Sequence, residues 1–437
     1  MGQTYDLKNH PSGGELWQKW ESGSDIDFVD DEAQETYQRR ATRIRKAIEL
    51  KEPDRIPVRL GAGFLAGHLA DVTFEEMMYD AEKAKKAMRQ YKAEFKPDLN
   101  PVTPQPSGEM LDTLGVEFYD WPGDGLKENV GYQALEDEYL PPEEYDEFIA
   151  DVEGWMLKKY MPRVFSNLEG LQHLPQFLST IELPFLGPTF SAFANPDLQE
   201  ALQTLMEAGE QGAAWGQEVG SIAAEANAEG FPSGLGGFGK APFDIIGDTI
   251  RGTRPTMVDM RKRPEKLKEA TEALVPHAIK QAVGGPLASG TPMNIFVLHK
   301  GDDSFMSKED FKEFYWPTLK KVVDAVIDRG IVPWMFAEGR YNERLEIVAN
   351  DHPDGPIVWY FDKTDMRRAK EILGDKAAIA GNVPTDIIKT GDPEDVEAYC
   401  KDLIEDVGPE GFILTPGVTV YRAPPENLHA IIDSVKE

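Results

Sequence analysis

The sequence predicts an α/β fold built on a parallel sheet. Three observations support this. Short apolar runs of strand length recur along the chain, helical patterns separate the first runs in its last third, and capping residues bound those helices. Apolar strands that alternate with helices are typical of parallel βαβ units. A closed (β/α)8 barrel and an open doubly wound sheet both fit this pattern.

The chain divides into an N-terminal extension, residues 1–40, and a body, residues 41–437. The extension is acidic and weakly patterned, which is typical of a solvated segment, although it could pack over the body or against a second subunit. The body opens with a helical pattern that places Ile44, Ala47 and Ile48 on one face. The stretch EPDR ends this helix, and Ile56 to Leu60 is the first predicted strand.

A second strand and a long excursion are predicted next. Thr73 and Glu76 form a capping box at the start of an amphipathic helix, and LNPVTP near residue 100 is the second strand. Residues 105–182 are interpreted as an excursion with a small strand pair and a helix. Strand candidates that start near 183 and 233 flank a long helix, residues 196–228. The candidate at 233–238 is the weakest.

The last third of the chain has the clearest pattern. Apolar runs of strand length lie at 294–299, 331–336, 357–361, 377–381 and 411–415. Ser307 as N-cap and Gly330 as C-cap bound the helix between the first two of them. With the earlier candidates the chain has nine predicted strands, one more than a (β/α)8 barrel needs. The stretch GLGGFG precedes KAPFD and is only a weak indication of a phosphate-binding loop.

Composition excludes several classes of protein. The 437 residues are 41% hydrophobic and carry a net charge of −31, so a large core is available and binding to nucleic acid or an anionic membrane is not expected. The single cysteine, Cys400, excludes a disulfide framework and thiolate-rich metal sites. The N-terminus has no apolar signal segment, and no run of membrane-spanning length occurs. A cytoplasmic location is expected.

Candidate functional residues follow the strands of the last third. In barrels the carboxyl ends of the strands carry the catalytic groups, and four consecutive strands here end in polar residues. The run at 294–299 ends in His299 and is followed by Lys300, Asp302 and Asp303, and the run at 331–336 is followed by Glu338, Arg340, Tyr341 and Asn342. The run at 357–361 is followed by Asp362 and Lys363, and the run at 377–381 by Asn382 and Asp386. Asp362, Thr364 and Asp386 could instead be only helix caps.

His299 and Glu338 are the strongest candidates, because each ends an apolar run and neither is placed as a cap. A glutamate in apolar surroundings is expected to have a raised pKa, which would suit a general acid. His299 could serve as acid, base or metal ligand. The alternative is a structural Glu338 paired with Arg340 or Lys300. His68, just after the first strand, could also reach the mouth of a barrel.

Aromatic residues and two arginines suggest a ligand pocket. Large rings can line a site for an aromatic ligand, although more often they are core, and half of those on strands must face helices. The strands carry Trp334, Phe336, Trp359, Tyr360 and Phe361, and the loop near 302–316 carries Phe305, Met306, Phe314, Tyr315 and Trp316. Arg251 and Arg254 could bind a carboxylate, or could be surface residues of a helix.

Several motifs in this order resemble those of the uroporphyrinogen decarboxylase superfamily. They are RIPV, HKGDDSFMSKEDFKEFYWPTLKKVVDAVIDRG, FAEGRYNERLEIV, IAGNVPTDIIKTGDPEDVEAYCKDLIEDVG and GFILTPGVTVYRAPPENLHAII. The resemblance covers roughly residues 40–437 and is most specific in the last third. It implies a (β/α)8 TIM-type barrel with an N-terminal extension, an excursion after the second strand, and a site at the C-terminal mouth.

Departures from the family motifs narrow the activity that the resemblance implies. Uroporphyrinogen decarboxylases carry Met-Arg-Gln-Ala-Gly-Arg near the first strand, where this chain has VRLGAG. Zinc-dependent corrinoid methyltransferases carry His-x-Cys-Gly and Pro-Gly-Cys, which align here with Phe336 to Gly339 and with Pro416 to Val418. Of these positions only Glu338 could bind a metal, so the usual His/Cys/Cys zinc site of thiol methylation is absent.

The chain therefore resembles the methyltransferase components of O-demethylase systems. These move a methyl group from a methoxylated aromatic to the Co(I) of a corrinoid protein, so a corrinoid partner and a small methyl donor are expected, and a homodimer is possible. The resemblance implies catalytic roles for Glu338, His299 and Asp362. Expected substrate contacts are Arg340, Asn342, Tyr341, Lys300, Phe361 and Trp334.

Three alternatives remain open at this stage. Zinc could be held by His299, Glu338 and an acidic neighbour, Asp302 or Asp362, since a site of only N and O ligands is physically allowed. The protein could be a decarboxylase of another carboxylated substrate, with Arg251, Arg254 or Arg340 holding the carboxylates. It could also be a non-catalytic partner of a corrinoid protein.

Overall fold

The computed structural model describes residues 5–436 and contains two sheets. The small sheet has strand order β2-β1-β3, and the large sheet has six parallel strands in the order β4-β5-β6-β7-β8-β9. The α/β class with a parallel sheet is thus confirmed. The strands are β1 Tyr119–Pro122, β2 Gly125–Leu126, β3 Gln133–Ala134, β4 Phe238–Lys240, β5 Met293–Leu298, β6 Val332–Ala337, β7 Val358–Phe361, β8 Ala378–Val383 and β9 Phe412–Pro416.

Helices connect the strands of the large sheet and fill the rest of the chain. The α-helices are Gly14–Ser22, Asp31–Ile48, Gly63–Leu69, Glu76–Tyr79, Ala81–Phe95, Gly108–Leu114, Tyr145–Ala150, Val152–Trp155, Met161–Val164, Leu183–Ser191, Pro196–Ala228, Pro242–Asp244, Thr253–Lys262, Pro264–Ser289, Lys308–Asp310, Trp316–Ile327, Leu345–Asn350, Met366–Leu373, Thr385–Thr390, Pro393–Val407 and Pro425–Asp433. Segments of π-helix lie at Met156–Tyr160, Ile245–Ile250 and Phe311–Tyr315, and 3₁₀ turns at Leu7–Asn9, Pro142–Glu144, Ser166–His173, Phe177–Ile181 and Ala192–Ala194.

Backbone hydrogen bonds extend the large sheet beyond both of its edges. Leu414 in β9 exchanges two hydrogen bonds of 2.9 Å with residues 57–59. This segment is hydrogen-bonded to residues 98–101, and Asn100 N donates to the carbonyl oxygen of Pro232 at 2.8 Å. The chain then runs from Pro232 into β4. A continuous series of backbone hydrogen bonds therefore joins β9 to β4 through three extended segments.

Of the two strand candidates near 183 and 233, the first is a helix and the second leads into a strand. The apolar run at 183–191 is an α-helix, and Leu183, Phe185 and Phe190 on it are exposed. The weakest candidate, 233–238, runs into β4 and bonds to β5 through Gly236 N and Gly237 O. The prediction of a strand at 183 was wrong, because a short apolar run does not by itself distinguish a helix from a strand.

Side chains of the large sheet alternate between two faces. In β6, Trp334 and Phe336 belong to a core cluster with the N-terminal helices, whereas Met335 and Ala337 pack with the helices that connect the strands. Successive side chains on a strand point to opposite faces, so both faces of this sheet are buried.

The N-terminal segment is folded onto the body, unlike the solvated extension that the sequence suggested. Trp17 and Trp20 are buried with Tyr37 in the cluster that holds Trp334. Trp17 also donates a hydrogen bond of 3.0 Å to the carbonyl oxygen of Gly330. Helix Asp31–Ile48 runs through residue 40 without a break. The expectation of a solvated segment rested on its acidic composition, whereas the packing is due to two buried tryptophans, Trp17 and Trp20.

Local signals in the sequence are reproduced by the structure. Thr73 and Glu76 form the reciprocal hydrogen bonds of a capping box, at 2.9 and 3.1 Å. The Ser307 hydroxyl accepts from Asp310 N, and Gly330 has the positive φ of a helix C-terminus. The long helix spans Pro196–Ala228 as predicted. Within residues 5–436 no helix is long and apolar enough to cross a membrane.

Candidate active site

A cavity of about 540 Å³ lies at the carboxyl ends of β5, β6 and β7. Parallel strands end at the same edge of a sheet, which brings together residues that are far apart in sequence. Seven of the candidate residues predicted at the strand ends line this cavity: His299, Lys300, Asp302, Glu338, Arg340, Asp362 and Lys363. The strand ends thus form one continuous site.

His299 is held between two carboxylates. Its Nδ1 lies 2.6 Å from Oδ2 of Asp248, and its Nε2 lies 3.4 Å from Oε2 of Glu338. Burial lowers the pKa of His299, but the hydrogen bond and charge of Asp248, with the charge of Asp244, outweigh it and raise the pKa above its ordinary value. The imidazole is therefore suited to hold a proton that faces Glu338.

Asp248 makes most of the charged contacts in this site, and it is not among the residues predicted from the sequence. One of its oxygens contacts Lys240 at 2.8 Å as well as His299, and the other contacts Lys300 at 3.0 Å. Burial acts to raise the pKa of Asp248, but the hydrogen bond with His299 and the charges of Lys240 and Lys300 hold it well below its usual range. Asp248 is thus a fixed negative charge beneath His299.

Asp244, one helical turn before Asp248, fixes the turn that carries His299. It is fully buried and accepts hydrogen bonds from the backbone N of His299 at 3.1 Å and of Lys300 at 2.8 Å. Tyr315 Oη donates to the same carboxylate at 2.7 Å. Burial and the neighbouring charge of Asp248 raise the pKa of Asp244 to about 6.

Two π-helical segments place these partners. Asp248 lies in Ile245–Ile250 and Tyr315 in Phe311–Tyr315. Such segments are rare and occur frequently at functional sites, because the extra residue re-aims the side chains of one turn. The spacing of Asp244 and Asp248 in PFDIIGD was the available sequence signal, since residues four apart share a helix face.

Glu338 is more exposed than expected. The sequence suggested apolar surroundings, but 46% of the side chain is accessible. Within the described part of the chain its ion-pair partner is His299, rather than Arg340 or Lys300. Its backbone N donates to the carbonyl oxygen of Leu298, which ties the end of β6 to the end of β5. The carboxylate therefore faces open solvent from a fixed backbone.

Asp302 and Asp362 hold the loop after β6. Asp302 accepts hydrogen bonds from the backbone N of Arg340 and, at 2.8 Å, of Ser304. Asp362 accepts from Gly339 N at 3.0 Å, and burial raises its pKa. Gly339 has φ +85°, a left-handed conformation that favours glycine. These two acids position the loop that presents Glu338.

The residues predicted as zinc ligands are not assembled into a metal site in the described part of the chain. Asp302 and Asp362, the predicted acidic neighbours, accept hydrogen bonds from backbone N–H groups. Across residues 5–436 no group of three or more His, Cys, Asp or Glu side chains is arranged to hold a metal. A structural or catalytic zinc takes at least three protein ligands.

The other predicted substrate contacts are spread over different environments. Arg340 is exposed at the cavity, whereas Tyr341 is buried and donates to the carbonyl oxygen of Leu298 at 3.2 Å. The Asn342 side chain accepts from the backbone N of Asp365, after β7. Trp334 and Phe361 are buried on opposite faces of the sheet and do not line the cavity.

The two arginines of the alternative carboxylate site are separated from this cavity. Arg251 is buried and already paired with Asp259 and Glu138, so it has no free face for a substrate. Arg254 is exposed on helix Thr253–Lys262. His68 is also largely exposed. Burial of part of its ring and the charge of Arg422 lower its pKa. Of the loop aromatics, Phe305 lines the cavity under Lys300.

Comparison with known sequences gives one family. The model of the uroporphyrinogen decarboxylase (URO-D) family matches residues 195–437. A uroporphyrinogen decarboxylase of Syntrophotalea carbinolica is 25% identical over 206 residues, 46% of this chain and 58% of that protein. One from Hordeum vulgare is 28% identical over 125 residues, 28% of this chain and 36% of that protein. The chain therefore spans less than two thirds of the length of these relatives.

Comparison with solved structures gives a match over nearly the whole chain. A methyltransferase from Methanosarcina mazei has a TM-score of 0.58, covering 91% of this chain and 97% of that one. The sequence identity is 15%, so the match shows a shared fold.

Proposed function

The chain belongs to the uroporphyrinogen decarboxylase family, and from this membership we propose that it is a methyltransferase that moves a methyl group from a methoxylated aromatic to a corrinoid protein. The observation that carries the proposal is the pair formed by His299 and Glu338. These two groups stand 3.4 Å apart in an open cavity, above the fixed charge of Asp248. They are suited to deliver a proton to a leaving oxygen.

The reaction needs that proton. A corrinoid carried by a partner protein would supply the Co(I) nucleophile that accepts the methyl group. When the methyl carbon–oxygen bond breaks, the departing oxygen takes the bonding electron pair and is a poor leaving group unless it is protonated. His299 Nε2 or Glu338 would supply this proton, and general acid help of this kind gives about 10²–10⁴-fold in rate.

The remaining residues have supporting roles in this proposal. Asp248 raises the pKa of His299, and Asp244 holds the turn at the end of β5. Asp362, predicted as catalytic, acts instead through the Gly339 backbone to position Glu338. The exposure of Glu338 leaves room for a large partner to approach the cavity. No step of the proposed reaction uses a metal ion.

We also infer that the sheet closes into a (β/α)8 barrel. The six regular strands and the three segments at 57–62, 98–101 and 232–237, the last of which runs into β4, add up to eight strand positions. Their hydrogen bonds run from β9 back to β4. In such a barrel the site described above lies at the C-terminal mouth, which is where catalytic groups occur in this architecture.

Decarboxylation is the second candidate, because the curated relatives are named uroporphyrinogen decarboxylases. Two observations favour methyl transfer. The first-strand motif of those decarboxylases is replaced by VRLGAG, and Arg251, proposed as a carboxylate ligand, is committed to Asp259 and Glu138. Arg340 is the arginine at the cavity that could still bind a carboxylate.

One assay separates the candidates. Purified protein is incubated with free cob(I)alamin and a panel of methoxylated aromatics, and methylcobalamin is followed by absorbance. Methyl transfer is expected, with release of the demethylated phenol. The absence of transfer with every donor would contradict the proposal, and a product lighter than its substrate by carbon dioxide would support decarboxylation. A protein with neither activity would fit the non-catalytic partner.

A further inference from the structure

An exposed apolar surface lies where the excursion meets the long helix Pro196–Ala228. It is formed by the 3₁₀ turn Phe177–Ile181, the helix Leu183–Ser191 and one side chain of the long helix. Its large apolar side chains are between 51% and 82% accessible. We call them the apolar patch, and they are Phe177, Leu178, Ile181, Leu183, Phe185, Phe190 and Met206.

Aromatic contacts hold the segments of the patch together. The Phe193 ring lies 6.3 Å from the Phe177 ring and 6.3 Å from the Phe190 ring. Phe193 also packs against a small core, together with side chains of the long helix. This core is separate from the main core and consists of Leu168, Leu171, Leu198 and Ala201. The outward side chains of the patch lie outside it, so within residues 5–436 their apolar surface stays uncovered.

The patch has the area of one half of a stable interface. A large apolar side chain offers roughly 150–250 Å² when it is fully accessible, so the seven residues expose roughly 700–900 Å². The largest apolar patch on a typical monomer is about 300–600 Å². A specific protein–protein interface buries about 800 Å² of each partner. The exposed area therefore exceeds that of an ordinary surface and matches what a dimer needs.

The distribution of charge favours a second copy of this chain as the occupant. Residues 174–196 contain one charged side chain, Glu182, whereas 28% of the whole chain is charged and its net charge is −31. A symmetric dimer places a surface against the identical surface, so a surface of one sign would repel its own copy. An uncharged patch lets two such acidic chains meet. A basic partner would be expected at the acidic surface instead, and an anionic membrane would be repelled by it.

We propose that the apolar patch is the contact surface of a symmetric homodimer of this chain. Helix Leu183–Ser191 of one copy lies against the same helix of the other copy, which buries Leu178 and Leu183, the most exposed members of the patch. The patch shares no residue with the cavity that His299 lines. This inference therefore does not depend on the proposed function.

The oligomeric state is measured on the full chain. Sedimentation equilibrium from nanomolar to high micromolar protein should give, at the upper end, twice the chain mass of 48.8 kDa. The mass of a single chain at every concentration would overturn the proposal. A monomeric protein that sediments with vesicles of uncharged phosphatidylcholine would overturn it in favour of a membrane surface.

Hydrogen exchange on the unchanged protein locates the interface. Exchange in peptides from residues 177–190 should slow as the protein concentration rises through the range of dimer formation, because the second copy excludes solvent from their backbone. Peptides around Leu287, an exposed leucine on helix Pro264–Ser289, should exchange at a constant rate. Concentration-dependent protection elsewhere, with none at 177–190, would overturn the assignment of the patch.

A matched pair of variants tests the side chains. Leu183→Asp places an unpaired charge in each half of the interface and should raise the dimer dissociation constant at least about 100-fold. Leu287→Asp makes the same change at an exposed position outside the patch and should leave that constant unchanged. Both leucines are exposed in the single chain, so thermal unfolding of the dilute protein should be nearly equal in the two variants. A folded Leu183→Asp variant that dimerises as the unchanged protein does would overturn the proposal.

Discussion

At the scale of single residues, the proposed chemistry depends on the contacts among three charged side chains, His299, Glu338 and Asp248. His299 and Glu338 were identifiable because each ends an apolar strand. Asp248 was not, because it lies on a helix 51 residues before His299 and meets it only in the folded chain. The histidine is thereby turned into a group that holds a proton.

The first prediction concerns that proton. Asp248→Asn removes the hydrogen-bonded charge that opposes desolvation, so the pKa of His299 should fall below its value in the unchanged protein. A raised histidine pKa stabilises the fold fully below the unfolded pKa of about 6.5, and this contribution is lost as pH rises through the folded pKa. NMR titration of the ring and unfolding at several pH values measure both effects. Asp197→Asn, beside exposed His173, is the control and should not move His299.

The second prediction tests Glu338 directly. Glu338→Gln keeps the shape of the side chain but removes the carboxylate that pairs with His299 Nε2, so the methyl-transfer rate should fall by about 10²–10⁴-fold with donor affinity nearly unchanged. Rates and donor binding are measured separately. Glu343→Gln, on the same loop and paired with Lys308, should be nearly neutral. An unchanged rate in Glu338→Gln would assign the residue a structural role.

At the scale of elements, the loop after β6 and the two π-helical segments decide the geometry. The loop is fastened by acids from two neighbouring strand ends, Asp302 and Asp362, which accept from its backbone. Helix caps and the long helix Pro196–Ala228 were predictable because their signals are local. The extra residue of a π segment has no comparable local signal.

The third prediction tests this loop. Gly339→Ala places a methyl group at φ +85° against the Asp302 carboxylate, and should cost about 1–3 kcal/mol in the free energy of unfolding and displace Glu338. Gly216→Ala is the matched control, since nothing lies near its Cβ position inside a long helix. That change should stabilise by about 0.4–1 kcal/mol. Denaturant unfolding gives both values, and equal stability of the two variants would argue against a strained loop.

At the scale of the whole molecule, the N-terminal helices complete the core. Their buried side chains share one core cluster with the residues on one face of the large sheet, whereas the other face packs with the helices that connect the strands. Residues 1–40 were predicted as an extension separate from the body, and that division remains a prediction. The packing of Trp17, Trp20 and Tyr37 against Trp334 indicates that the body needs this segment.

The fourth prediction measures that dependence. Trp17 is fully buried and donates to the carbonyl oxygen of Gly330, so Trp17→Ala should cost about 3–5 kcal/mol of unfolding free energy. Val29→Ala, at an exposed position of the same segment, should change stability by less than about 0.5 kcal/mol. Chemical denaturation followed by circular dichroism gives both values. A small effect of Trp17→Ala would mean that the segment only rests on the body.

The sequence by itself determined the α/β class, the family, most strand positions and the strand ends that line the cavity. These follow from local patterns, since strand and cap signals lie within a few residues of one another. Tertiary structure alone decided that Asp248 and Lys240 join His299, that Arg251 is occupied by Asp259, and that the segment at 183 is helical. Such choices depend on burial and on charges brought together from distant parts of the chain, which no local pattern records.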